Sequence, residues 1–250
     1  MPMRKLPVLA ALRHMLNSIA GHWRPMLRIA LPWLALLAAL NAWEISSSGK
    51  PTESLQPNGI TIVLLLAGLL ASASISVSWH RYIFLNEVPD ATHPFRMDKP
   101  VWATLLRNIL IAVAVLVPLI LVSVFFDNLP KIFLPIGIVI PFALAVTAVR
   151  LTISLPATAI SNPSFGLAAA LQASKGNVMP IIGVLLAACA MMFAAILAVA
   201  LFLSLLVALA PSLALPATVL LSMPFQFFLI LINAALQSSL YGFFAQNRDF

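Results

Sequence analysis

Residues 179–210 read MPIIGVLLAACAMMFAAILAVALFLSLLVALA, and no side chain in this stretch is charged. A helix needs about 20 mostly apolar residues to cross the hydrocarbon core of a bilayer, so this stretch predicts a membrane span. Similar stretches occur along the rest of the chain, at residues 26–43, 60–79, 101–126, 132–155 and 211–244. The sequence therefore predicts an all-α polytopic membrane bundle of six transmembrane helices, in a single membrane domain over residues 1–250.

The composition agrees with a protein that lies almost wholly in the membrane. Apolar residues make up 62% of the chain and charged residues 8%, against roughly 25% charged residues in soluble domains. The longest segment between spans, residues 81–100, is shorter than the roughly 50 residues with which domains usually start. Any chemistry is therefore expected in or on the membrane. Cys189 is the one cysteine, which excludes a disulfide framework and a thiolate cluster.

The distribution of charge predicts the orientation of the chain. If the N-terminus is cytoplasmic and six spans alternate, all of the 14 basic residues except Lys50 and Lys131 fall on the inner side. This is the positive-inside bias, so both termini are predicted to be cytoplasmic in a bacterial inner membrane. Orientation and attraction to anionic lipid explain the net charge of +7 without a nucleic-acid partner. The long basic segment before the first span predicts an uncleaved anchor rather than a signal peptide.

Part of the sequence repeats. Arg81 and Arg150 end the second and fourth spans, and their separation equals that of Asn108 and Asn177, which begin the third and fifth. The equal spacing predicts a pseudo-repeated hairpin with an amphipathic, interfacial segment on its inner side. The hairpin units run roughly over residues 1–90, 91–160 and 161–250. Their inner segments are residues 4–22, 94–108 and 162–175. Units of one orientation indicate a pseudo-threefold axis along the membrane normal.

Several short motifs resemble a known group of proteins. They are WHR at 79–81, RL at 150–151, SLP at 154–156, SFGLA at 164–168 and KGN at 175–177. The chain resembles a broad bacterial group that includes the YciC-like proteins and the membrane domain fused to some glycerophosphodiester phosphodiesterases. The resemblance implies a six-span inner-membrane protein with a link to envelope maintenance. Residues 1–250 contain no phosphodiesterase domain, so that catalysis is not implied.

Four basic residues are the candidate site for lipid headgroups. Arg81, Arg107, Arg150 and Lys175 are all expected at one depth, near the inner headgroups. Guanidinium groups bind phosphate through two parallel hydrogen bonds, and basic pockets between spans on this side can hold anionic lipid. The alternative is that these side chains extend to the interface and only fix the topology.

The sixth span carries a polar stripe. Gln226, Asn233, Gln237 and Tyr241 follow one another in steps of seven or four residues, which places them on one helix face. This face is predicted to point inward, because an unpaired amide in lipid is costly. It could line a path for a substrate, or it could serve only hydrogen bonds between helices.

Signatures of catalysis and of ion-coupled transport are missing from the sequence. No nucleophile elbow, zinc-binding HExxH helix or P-loop occurs, and no carboxylate lies in the middle of a span, where coupled carriers usually need one. The sequence therefore predicts a non-enzymatic protein without cofactor or metal, acting in membrane or envelope maintenance through anionic lipids or protein partners. The alternative is a small uncoupled carrier or channel that uses the polar face of the sixth span.

Overall fold

The computed structural model describes residues 4–48, 59–88, 94–126, 134–210 and 214–250, and every regular element within these ranges is a helix. In chain order the helices are α1 (Val8–Gly21), α2 (Trp23–Ser48), α3 (Gly59–Leu85), α4 (Lys99–Phe126), α5 (Leu134–Thr152), α6 (Leu155–Ala159), α7 (Leu167–Ala173), α8 (Val178–Leu209) and α9 (Ala214–Ala245). The prediction of an all-α fold is confirmed.

Six helical segments of the described residues are long and apolar enough to cross a membrane. They are Trp23–Glu44, Gly59–Leu85, Lys99–Phe125, Pro135–Ala159, Val178–Leu209 and Pro224–Gln246. Large apolar side chains on α4 and α8, such as Leu121, Phe125, Leu201 and Leu205, are exposed. A helix that is apolar on all sides and yet exposed is typical of a span that faces lipid. The six predicted spans are confirmed, and the chain is a multi-pass membrane protein.

One predicted boundary is wrong, and the fourth predicted span contains a turn near its end. Residues 94–108 do not form a separate inner segment, because α4 begins at Lys99 and runs without a break into its span. Pro100 lies in the first turn, where the lack of an N–H costs nothing. The fourth predicted span is interrupted after Thr152 by a turn. In that turn the Ser154 hydroxyl donates a hydrogen bond to the Leu151 carbonyl at 2.8 Å.

Consecutive long helices pair as three hairpins, α2 with α3, α4 with α5, and α8 with α9. α9 is the most enclosed of them, since it contacts α2, α3, α8 and all three short helices. The C-terminal half of α9 packs against the C-terminal half of α3, where Trp79, Leu231, Leu240 and Tyr241 are almost fully buried. The tightest packing therefore lies at one end of the bundle.

The three short helices lie at that same end, which we call the short-helix side. α1 packs on α8 and α9 and buries Ala11, Leu12, Met15 and Ile19. α6 packs on α3 and α4, and α7 packs on α5 and α9. Since the C-terminal ends of α3, α5 and α9 all meet here, every candidate cation of the sequence analysis also lies on this side.

Candidate functional site on the short-helix side

Arg81 is held by a carboxylate and a carbonyl of the protein. Its Nε and Nη2 donate to the two carboxylate oxygens of Glu87, each at 2.7 Å, and Nη1 donates to the Ala159 carbonyl at 3.0 Å. Arg96 also bonds Glu87, at 3.1 Å, and pairs with Asp98 at 2.8 Å. The Arg81 hydrogen bond, supported by Arg96, holds the pKa of Glu87 below its usual value. Arg81 therefore has little capacity left for a phosphate.

Arg107 and Arg150 are also bonded to the short helices. Arg107 donates to the Thr158 hydroxyl and to the Ser154 carbonyl at 3.4 Å. Arg150 donates to the Leu171 carbonyl at 2.6 Å and to the Ser174 hydroxyl at 2.8 Å. These oxygens belong to α6, α7 and their flanking turns. The two arginines thus fasten the short helices to the ends of α4 and α5.

Lys175 is the fourth predicted cation, and its surroundings are different. It is exposed and makes no ion pair within the described residues. It borders a small pocket of about 150 Å³ that Arg4, Gln172, Asn177 and the rings of Phe243 and Phe244 also line. None of the three arginines discussed above lines this pocket. The structure therefore does not bring the four predicted residues into one site.

A second and larger cavity lies on the same side, with a volume of about 630 Å³. We call it the α1–α3 groove, because α1 and the C-terminal end of α3 form its walls. Its lining residues are His14, Asn17, Ser18, His22, Tyr82, Ile83, Phe84, Leu85, Asn86 and Arg248. The lining includes an arginine and two histidines but no carboxylate. Its size lies within the range of about 300–1,000 Å³ that is typical of ligand pockets.

The sequence held a partial signal for this groove. His14, Ser18 and His22 recur every four residues, which places polar groups along one stripe of α1. This stripe indicates a polar face of α1 but not a shared cavity. Arg248 and the end of α3 could not be assigned to the groove, because they lie far from α1 in the chain.

The polar stripe of α9 is divided by its neighbours. Gln237 and Tyr241 are buried, whereas Gln226 and Asn233 are exposed, so the inward orientation predicted for these two is wrong. Gln237 Nε2 donates to Asn233 Oδ1 at 3.1 Å, and the Tyr241 hydroxyl accepts a bond from Asn162 Nδ2 at 3.0 Å.

Two histidines bond adjacent serines of α9, which the sequence did not predict. His80 Nδ1 lies 2.9 Å from Ser238 Oγ, and His14 Nδ1 lies 2.9 Å from Ser239 Oγ. Both serine hydroxyls donate to carbonyls one turn back in α9. Each hydroxyl has one proton to give. With the Ser239 proton on the Ala235 carbonyl, the serine oxygen accepts from the ring, and neutral His14 carries its hydrogen on Nδ1.

The chain matches no protein-family model, no curated protein and no solved structure. In the described residues, no three His, Cys, Asp or Glu side chains are grouped so that they could hold a metal ion. Fold and surface together define a six-span membrane protein with a cationic, grooved short-helix side.

Proposed function

We propose that this chain is a multi-pass protein of the bacterial inner membrane that binds anionic phospholipid headgroups on its short-helix side. This side faces the cytoplasm, and the protein acts in membrane or envelope maintenance rather than as an enzyme. The observation that carries the proposal is the excess of unpaired basic side chains on this side.

The excess remains after the ion pairs are taken into account. Within the described residues of the short-helix side, the carboxylates of Glu87, Asp98 and Asp249 are all paired with arginine. Nine described basic residues of the same side have no such pair: Lys5, Arg13, Arg24, Arg28, Lys99, Arg107, Arg150, Lys175 and Arg248. Lys5, Arg107 and Arg150 bond carbonyl or hydroxyl oxygens of the protein instead. A basic side chain at the membrane surface contributes about 1 kcal/mol to attraction toward an anionic leaflet.

The positive-inside rule supports the orientation. All basic residues of the chain except Lys50 and Lys131 belong to the short-helix side, and these two lie outside the described residues. Short loops rich in Lys and Arg stay in the cytoplasm. The anionic surface of the cytoplasmic leaflet then faces the cationic surface of the protein.

The carrier alternative has less support. It needs a continuous polar path along α9, and of the four stripe residues only Gln237 and Tyr241 are buried. Gln226 and Asn233 are exposed on the outside of the described bundle. Exposed amides at membrane depth favour a contact with another membrane helix, which fits the protein partners that we include in the proposal.

A lipid-dependent stability measurement tests the proposed function. The purified protein is heated in a mild detergent with added phosphatidylglycerol, cardiolipin or phosphatidylcholine. We expect the two anionic lipids to raise the unfolding temperature more than phosphatidylcholine does, because a ligand that binds only the folded state stabilises it. Equal stabilisation by all three lipids would overturn the proposal.

A further inference from the structure

We propose that the α1–α3 groove binds the phosphate group of an anionic lipid, with Arg248 as the permanent cation and with His14 and His22 as donors that depend on protonation. The lipid source of that phosphate rests on the function proposed above. The location of the site and its response to pH do not depend on that proposed function.

Arg248 is positioned for bidentate binding. Its guanidinium carbon lies 5.5 Å from the centre of the Phe84 ring, and its backbone N–H is fixed by the Gly242 carbonyl at 3.0 Å. The side chain makes no ion pair within the described residues. A guanidinium packed on an aromatic face keeps its edge N–H groups free for a phosphate.

Both histidines have a hydrogen bond at Nδ1 and, within the described residues, none at Nε2. His14 Nδ1 donates to Ser239 Oγ, as derived above, and His22 Nδ1 lies 2.8 Å from the Ser18 carbonyl. A carbonyl only accepts, so His22 also carries its hydrogen on Nδ1. In both neutral rings Nε2 is therefore an acceptor that repels phosphate oxygen. Protonation converts Nε2 of each ring into a charged donor.

The charges around the groove decide the direction of the pH effect. Burial, and next the positive charge of Arg248, lower the pKa of His14. The facing titratable groups are His22 on α1 and Tyr82 on α3. Glu87 and Asp249 directly follow the lining residues Asn86 and Arg248 in the chain, and their carboxylates are paired with Arg81 and Arg96 and with Arg4. The Phe250 ring lies 5.1 Å from the His14 ring.

A bound phosphate would offset the repulsion between Arg248 and a protonated His14. The pKa of His14 then rises on binding, so binding takes up a proton and becomes tighter as the pH falls. Phosphatidylglycerol is a phosphodiester whose charge is constant near neutral pH, so the protein is the source of this dependence.

The lining of the groove favours a lipid over a free phosphate ion. A volume of about 630 Å³ greatly exceeds what one phosphate fills. Beside its polar groups the groove has an apolar wall of Ile83, Phe84 and Leu85, and Leu85 is exposed. This combination fits a glycerophosphate headgroup with the start of its acyl chains.

The test measures lipid affinity by native mass spectrometry of the detergent-solubilised full chain at pH 6 and pH 8. The probes are phosphatidylglycerol, phosphatidylcholine and inorganic phosphate. The variants are Arg248→Gln, Arg248→Lys and the double change His14→Asn with His22→Asn. Asparagine keeps a donor close to the Nδ1 position and removes Nε2. Gln172→Ala is the control, because it changes an exposed side chain on the same side but outside the groove and removes no charge.

We expect phosphatidylglycerol to bind the unmodified protein more tightly at pH 6 than at pH 8. Arg248→Gln should weaken this binding by about tenfold, as expected for one charge-assisted pair, and Arg248→Lys should weaken it less. The histidine double variant should lose the pH dependence while binding as the unmodified protein does at pH 8. Gln172→Ala should stay within about twofold of the unmodified protein.

The possible failures are distinguishable. Unchanged affinity in both Arg248→Gln and the histidine variant would overturn the groove and leave anionic lipid binding intact. Equal binding of phosphatidylglycerol and phosphatidylcholine by the unmodified protein would overturn the proposed function. Inorganic phosphate bound as tightly as phosphatidylglycerol would overturn the lipid source. If Arg248→Gln fails to fold, Arg248→Lys and the histidine variant still test whether the groove binds the lipid, since both retain the packing of the site.

Discussion

Arg150 illustrates how one side chain can complete the end of a helix. The last carbonyls of a helix have no partner within it, and a positive charge near them is favourable. Arg150 supplies a hydrogen-bond donor and a positive charge, since it bonds the Leu171 carbonyl of α7 and the Ser174 hydroxyl that follows. Arg81 does the same for the Ala159 carbonyl at the end of α6.

Replacing Arg150 should therefore destabilise the fold rather than change lipid selectivity. Arg150→Gln removes two charge-assisted hydrogen bonds, and we expect a loss of about 2 kcal/mol in the free energy of unfolding. Thermal or denaturant unfolding in detergent measures it. Lys175→Gln serves as the control, because Lys175 is exposed and should change stability by less than about 0.5 kcal/mol. A weaker preference for anionic lipid at unchanged stability would contradict this expectation and show that Arg150 binds lipid headgroups.

The sequence could place these arginines but not their partners. Arg81, Arg107 and Arg150 follow from the ends of apolar stretches, so their depth was predictable. Their acceptors are mostly carbonyls of other helices, such as Ala159 and Leu171, and every residue type carries a carbonyl. Predicting that such a donor is already occupied requires the packing of α6 and α7, which no local pattern encodes.

At the scale of the elements, α1 depends on a close approach to α8. A β-carbon added at Gly183 on α8 would lie 3.3 Å from a methyl group of Val8 on α1, whereas one added at Gly68 on α3 would meet nothing within 4 Å. The absence of a side chain at Gly183 thus lets the start of α1 rest against α8. α1 forms one wall of the α1–α3 groove, so this contact also positions the histidines.

A large residue at Gly183 should separate α1 from α8. We expect Gly183→Leu to lower the unfolding temperature and to make α1 more accessible to proteases, because overpacking costs about 1–3 kcal/mol. Gly68→Leu is the matched control and should be tolerated, as a leucine there enters open space. Equal effects of the two changes would show that the contact between α1 and α8 contributes nothing.

For the molecule as a whole, the six spans were predictable and their packing was not. Span length and hydropathy follow from the thickness of the bilayer, so 179–210 and its five counterparts were identified correctly. Packing between spans depends on which face meets a neighbour, and the hydropathy of a span does not specify that face. The exposure of Gln226 and Asn233 and the burial of His80 were missed for this reason.

The orientation of the whole bundle can be tested directly. In a variant with Cys189→Ala, we expect Ser48→Cys to react with an impermeant thiol reagent on intact spheroplasts. Gln172→Cys, exposed on α7, should react only after the membrane is opened. The positive-inside bias is the reason for this expectation. Labelling of Gln172→Cys alone in intact cells would reverse the orientation and move the cationic surface to the other leaflet.

The contacts that attach residues 4–6 to the rest of the protein have a consequence for biogenesis. Asn177 accepts the Leu6 N–H at 2.8 Å and donates to the Arg4 carbonyl at 3.0 Å, Lys5 bonds the Gly176 carbonyl at 2.8 Å, and Arg4 pairs with Asp249. A ribosome delivers residues 4–6 long before it delivers 176, 177 or 249. During synthesis, residues 4–6 therefore lack these contacts until residues 176, 177 and 249 have been made. The last helices to be synthesised then attach the N-terminal segment to the bundle.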